Sequence, residues 1–240
     1  MPSHRVAHLI APVTFGGGES VLATLLAERQ EGIAEEVICL TKSPVFAGKL
    51  AEIGIAATDL TEIDIGHGVS KARMLGIYLS ILWRLPRLVG LLRRHRIDLV
   101  HAHGFPAAAL FPLVRLAMPR LRGVYTHHSH RRRPGLAARL LLGPCYRAYQ
   151  ARTAVSAAAA RSMETGFRPF AGPFLAIHNC VAHRFFRANR PQEPRAGEER
   201  RVFIQVGRMI AIKNHDLVLA AVAELSPAER DGILIRFVGD

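Results

Sequence analysis

Residues 98–128 read DLVHAHGFPAAALFPLVRLAMPRLRGVYTHH. A short apolar run at 98–101 gives way to a segment of helical period at 106–117, and a second short run follows at 122–126. Two brief strands separated by about a dozen helical residues are the signature of a βα unit in a parallel sheet, whose strands need such a crossover. The same alternation continues in both directions. Candidate strands fall at 5–11, 36–41, 55–59, 151–155 and 174–177, and candidate helices at 19–31, 45–53, 71–95, 135–150 and 157–166. This pattern predicts an α/β domain with a doubly wound parallel sheet. No repeat of solenoid period interrupts it.

Residues 187–201, RANRPQEPRAGEERR, have linker composition, polar with two prolines and a glycine. They divide the chain into a first domain at 1–186, a linker, and a segment at 202–240. That last segment holds a strand at 202–207, a helix at 215–225 and a strand at 233–238, a single βαβ unit. Some forty residues bury too little apolar surface to stand alone, so the unit either packs on the first domain or belongs to a larger one.

The chain has 240 residues, 50% hydrophobic and 21% charged, which excludes a disordered or disulfide-stapled protein. Cys39, Cys145 and Cys180 are odd in number and far apart, as expected in a reducing compartment. The N-terminus lacks the pattern of a signal peptide. The longest apolar run, at 74–83, is shorter than the roughly 18–20 residues that cross a bilayer. A cytoplasmic location is therefore expected. A net charge of +13 points to polyanionic partners: nucleic acid, anionic lipid or phosphorylated small molecules. With aromatics at 7% and no recognised nucleic-acid motif, nucleic acid is the weakest of the three.

Four segments carry candidate chemistry. Gly16, Gly17 and Gly18 in TFGGGES follow the first strand and open the first helix, where main-chain N–H groups favour an anion. A tight turn needing positive φ would explain the same glycines. In VGRMIAIKNHD, Arg208 leaves the carboxyl end of a strand and Lys213 precedes a helix that Asn214 can cap, an arrangement suited to a diphosphate. Histidines gather where strands should end: His101 and His103 after the fourth, then His127, His128 and His130 after the fifth. Neither cluster contains a carboxylate, so sugar or phosphate contacts are expected and a metal is not. Arg131 to Arg133 add three cations beside them. Finally, KARMLGIYLSILWRLPRLVGLLRRHR at 71–96 joins an apolar body containing Trp83 to the cations Arg84, Arg87, Arg93, Arg94 and Arg96. It reads equally as a basic amphipathic helix on a membrane surface or as a core helix, and Pro86 should kink or divide it.

Taken in order, TFGGGES, DLVHAHG, VYTHH, TAVS at 153–156, IHNCV at 177–181 and VGRMIAIKNHDLVLAA resemble the GT-B glycosyltransferases of the large retaining glycosyltransferase 4 type family. The resemblance implies two Rossmann-like domains, the acceptor mostly on the first and a nucleotide-sugar donor mostly on the second. It implies that Arg208 and Lys213 hold the donor diphosphate and stabilise the leaving nucleotide, with Gly16 and Gly17 approaching that diphosphate as well. His128 matches the family's T-x-H histidine and would contact the transferred sugar, with His103, His127 and His130 as further sugar or acceptor contacts. The nucleotide sugar is then a substrate, and neither cofactor nor metal is expected. Lipid-linked or envelope glycan acceptors, lipopolysaccharide among them, would fit a basic first domain lying peripherally on the inner face of the cell membrane. Asn179-Cys180-Val181 replaces the usual N-G-V. The family's second domain is represented only by its first βαβ unit, without the family's glutamate pair. The chain by itself is therefore expected to be a weak or inactive transferase, or a remnant that binds membrane or glycan.

Overall fold

The computed structural model describes residues 4–12, 15–28, 30–65, 70–129, 134–187 and 200–239. His130, Arg131 to Arg133, Thr14 and most of the linker lie outside these. The chain divides into two compact units, 1–183 and 184–240.

The first unit runs β1 (His4–Ile10), α1 (Gly17–Ala27), β2 (Ile33–Cys39), α2 (Pro44–Glu52), β3 (Ala57–Asp59), α3 (Lys71–Trp83), α4 (Leu85–Arg94), β4 (Leu99–His103), α5 (Gly104–Ala117), β5 (Arg122–His127), α6 (Leu136–Arg147), β6 (Ala151–Ala154), α7 (Ala157–Gly166) and β7 (Leu175–Ala176). Seven strands form one sheet in the order β3-β2-β1-β4-β5-β6-β7, and every pair is parallel. The predicted doubly wound sheet is the observed one.

Strand alternation sorts the two cores. Val37 and Cys39 meet Leu22, Leu26, Phe46 and Leu50 beneath α1 and α2, whereas Ile38 and Leu40 join the larger core under the helices of the other face. Ser43, Ser70 and Ser156 accept from the main-chain N–H groups of Phe46, Arg73 and Ala159, which fixes where α2, α3 and α7 begin. The long helix expected at 71–95 is two helices bent by 46°. The break comes at Arg84, and Pro86 sits in the first turn of α4, where its missing N–H costs nothing. Among the described residues no single helix is long and apolar enough to cross a membrane.

Gly123 in β5 is fixed by packing: a Cβ there would lie 2.2 Å from the ring of Phe111, which is fully buried and stacks on Tyr149 at 4.5 Å. Gly123→Ala should therefore lower folding stability by about 1–3 kcal/mol, the usual range for overpacking. Thermal denaturation checks this, and an unchanged midpoint would contradict the packing.

The second unit contains α8 (Arg184–Arg187), β8 (Arg201–Val206), a 3₁₀ turn (Ala211–Lys213), α9 (His215–Ala223), α10 (Pro227–Asp231) and β9 (Ile233–Val238). β8 and β9 pair in parallel, which gives the expected βαβ unit. None of its described residues is buried, and Phe203, Ile204, Val206, Leu217 and Leu219 are all exposed.

Candidate functional site

In an open parallel sheet the ligand site lies beyond the carboxyl ends of the strands where the strand order reverses. Here that point is between β1 and β4. The histidines gather beside it. His101 and His103 are the third and fifth residues of β4, inside the strand rather than after it, and both face α1. His128 follows β5 directly, with Gly18 of α1 lying against its ring. Together with Val21, Leu25, Thr126, Thr153, His178 and Asn179 they line a cavity of about 350 Å³. A larger hollow of about 520 Å³ sits at the opposite edge, near Asp98, Arg120 and Arg122, and contains none of these groups.

Hydrogen bonds join the imidazoles. His103 Nδ1 lies 2.9 Å from His128 Nε2, and His103 Nε2 lies 3.0 Å from His8 Nδ1. His8 Nε2 in turn lies 3.2 Å from the Glu35 carboxylate. His101 Nε2 meets Thr126 Oγ1 at 2.7 Å, and Thr126 meets Thr153 Oγ1 at 2.7 Å. Burial holds His101 and His103 well below the ordinary imidazole pKa, and neighbouring imidazoles push both further down. His128 is lowered by burial as well. The neutral form of each is favoured because a low-dielectric site penalises charge.

Nitrogens of His8, His101 and His103 lie within 4.8 Å of one another, close enough to compare with a metal-ligand set. The 3.0 Å contact between His8 and His103 has the length of an N–H···N bond, so a shared proton accounts for it. Each of the three also has an outward nitrogen bonded to Glu35, Thr126 or His128.

Sequence reasoning missed His8 and Glu35. A period of two places His8 on the same face of β1 as Ile10, but only the strand order sets it beside His101. His127 is a correction. As the last residue of β5 it faces the opposite side from Thr126 and His128, buried with Tyr125, whose hydroxyl is 3.1 Å from its Nδ1. It does not line the cavity.

The glycine loop also differs from one of its two readings. None of Gly16, Gly17 and Gly18 has positive φ, so a left-handed turn is not what selects them. Gly16 N–H donates to the Glu19 carboxylate at 3.1 Å, and nothing lies within 4 Å of a Cβ built on Gly17, so the first turn of α1 is open there.

In the second unit Arg208 and Lys213 lie at the carboxyl end of β8. The Arg208 carbonyl accepts from His215 Nε2 at 3.0 Å, and the Lys213 carbonyl accepts from Gln205 Nε2 at 2.8 Å. The Lys213 side chain runs alongside Gly207, its Cδ and Cε 3.5 Å from the site of a Cβ. Gly239 approaches the same place so closely that a Cβ would lie 2.0 Å from the Gly207 carbonyl oxygen. Asn214 occupies the N-cap position of α9 in a left-handed conformation, but its side chain makes no cap bond, contrary to expectation.

Of the residues singled out in α3 and α4, Trp83 is 85% exposed. Three arginines already bond within the fold: Arg84 donates to Ser80, Arg87 to the carbonyls of Asp59 and Leu60, and Arg93 to the Ala117 carbonyl. Arg94 is exposed.

The seven-stranded Rossmann-like sheet is the fold of a GT-B domain. The chain belongs to Glycosyltransferase Family 4, whose family model matches residues 15–185. No curated protein sequence matches it. Among solved structures it is similar to Anabaena Alr3699/HepE in complex with UDP, at 13% identity and TM-score 0.70, covering 98% of this chain and 69% of that one. The same protein in complex with UDP-glucose matches at 15% and 0.67, covering 98% and 60%. The lipopolysaccharide outer core galactosyltransferase WaaB in its apo form matches at 12% and 0.63, covering 98% and 68%. The chain thus spans three-fifths to about two-thirds of these proteins, and at such identities the likeness establishes the fold.

Proposed function

We propose that this chain carries the acceptor-side domain and part of the donor site of a glycosyltransferase. The enzyme moves a sugar from a nucleotide-sugar donor to a lipid-linked or envelope glycan, with retention of configuration. The observation that carries the reading is the histidine-lined cavity at the strand-order reversal of a Family 4 domain. His128 and His103 border it, and His128 is the residue that contacts the transferred sugar. Arg208 and Lys213 take the donor diphosphate, and within the first unit the open first turn of α1 at Gly17 is suited to an anion. Two side-chain cations able to meet the leaving nucleotide's charge support a transfer that needs no metal.

HepE is recorded with UDP and UDP-glucose, so UDP-glucose is the first donor to try. Titration calorimetry with UDP-, GDP-, ADP- and CMP-sugars should find one that saturates a single site. A chain that binds none of them would overturn the donor reading.

The exposed stripe Leu75, Leu79, Leu82 and Trp83 on α3 favours an acceptor presented at a lipid surface. Trp83→Ala combined with Leu79→Ser should weaken binding to phosphatidylglycerol vesicles roughly tenfold or more, given the area these side chains would bury. Unchanged cosedimentation would remove the membrane. The same stripe supports a second reading, a non-catalytic membrane or glycan-binding module. Vesicle binding with no nucleotide-sugar binding would favour it.

A further inference from the structure

The cavity histidines are wired to a carboxylate on the neighbouring side of β1. We propose that Glu35, His8 and His103 are positioning residues: their hydrogen bonds fix His128 with its proton on Nε2 and leave Nδ1 as a bare acceptor. The inference deepens the reading of His128 as a sugar contact and rests on it only for its consequence.

The direction of the chain follows from donor and acceptor counting. A carboxylate only accepts, so the 3.2 Å contact with Glu35 is donated by His8 Nε2–H. With a single N–H on His8, its Nδ1 accepts, and the 3.0 Å bond comes from His103 Nε2–H. His103 Nδ1 accepts in turn, and the 2.9 Å bond comes from His128 Nε2–H. Nδ1 of His128 is left with a lone pair, buried and without a partner among the described residues. The order would reverse only with a proton on His8 Nδ1, an atom that nitrogen NMR reads directly.

Strand geometry makes the wire possible. Glu35 and Val37 share a face of β2, Val37 is opposite His8, and Ile10 is opposite His103, so the three polar side chains step diagonally across three strands. Glu35 is 18% exposed at the far end, where its charge is partly solvated. His101 obeys the same logic separately. Thr153 Oγ1 donates to the Tyr125 carbonyl at 3.2 Å, Thr126 donates to Thr153, and His101 Nε2–H donates to Thr126. The cavity therefore meets imidazoles of one tautomer. The consequence is that the cavity meets His128 as a ring whose Nε2 proton is committed to His103, with Nδ1 covered beside Gly18 of α1.

The test is nitrogen-15 NMR of the histidine side chains in the full chain at neutral pH, with no sugar present. Expected are N–N couplings across the two hydrogen bonds, with the protons carried by His103 Nε2 and His128 Nε2. A proton on His8 Nδ1 or His103 Nδ1, or the absence of both couplings, overturns the relay. Glu35→Lys places a donor where the acceptor was, so His8, His103 and His128 should all move their proton to Nδ1; a folded variant in which His103 and His128 keep theirs overturns it. Should that variant not fold, the wild-type couplings decide alone. Zinc addition that shifts His8, His101 and His103 together and abolishes the His8–His103 coupling would also overturn it, showing a metal where the proton was placed. The readout contains no donor, so it stands or falls separately from the sugar contact: couplings as expected with no response of His128 to any nucleotide sugar would sink the contact and leave the relay.

Discussion

Acidified from pH 7.5 to pH 5.5, the protein should lose folding stability steeply, beginning near pH 6.5. His101 and His103 are held well below the ordinary imidazole range, first by burial and then by the imidazoles beside them. In the unfolded chain they regain a pKa of about 6.5. Below that pH the unfolded state binds protons that the folded state refuses, so stability falls as pH falls. Each such group costs up to about 1.4 kcal/mol per pH unit, and two together about 2.7 kcal/mol per unit, until the folded values are reached. His128, lowered by burial, adds in the same direction. The Asp59 carboxyl, raised by burial, acts in the opposite sense and offsets part of the loss where it titrates. Against a typical total of about 5–15 kcal/mol, this is a large share. Urea midpoints at pH 7.5, 6.5 and 5.5 measure it. A flat profile would mean that the buried imidazoles accept protons in the folded state, and His101→Gln should make the slope shallower by about one proton's worth if the assignment holds.

The contrast between what was legible in the chain and what was not has a physical cause. Alternation of short apolar runs with helical segments is a local property, and it gave seven parallel strands and the βαβ unit after the linker, while Pro86 marked the division that falls at Arg84. Strand order is not local. His101 and His103 could be placed near a sheet edge from their own neighbours, but the partners that define their chemistry sit on other strands, His8 lying 95 residues from His103 and Glu35 on β2 beyond it. Nothing in the run HRVAHLI marks His8 as more than one polar residue in a buried strand. His127 misled for the related reason that adjacent histidines look equivalent in a string, while a strand sends them to opposite faces. Arg84, Arg87 and Arg93 show the same limit for charge, since a basic tail reads as a free surface until the carbonyls that its guanidiniums hold are located.

The largest effect expected on donor binding comes from Arg208 and Lys213. Both follow β8 at the carboxyl end of its sheet, and both have their main chain tied down, Arg208 through His215 and Lys213 through Gln205. The side chains themselves are half-buried and exposed, so removing them leaves the folding of the unit intact. Hydrogen bonds to charged groups contribute about 1.5–3 kcal/mol, so Arg208→Ala and Lys213→Ala should each weaken nucleotide-sugar binding by about ten- to more than a hundredfold. The cost in turnover should exceed the cost in binding, because the diphosphate gains negative charge as the sugar departs and the cations act most strongly there. Lys213→Arg keeps the charge but not the compact ammonium, and recovers part of the binding while restoring less of the rate. His215→Phe supplies the matched control: it keeps an aromatic ring against Phe237, where the imidazole packs edge-on at 5.1 Å, and releases only the Arg208 carbonyl. Its smaller, position-dependent loss would show that loop placement matters in addition to charge. Calorimetry with the donor that the screen identifies separates the cases. If Arg208→Ala and Lys213→Ala bind that donor as tightly as the wild type, the diphosphate lies elsewhere, and the carboxyl end of β8 is not the donor site.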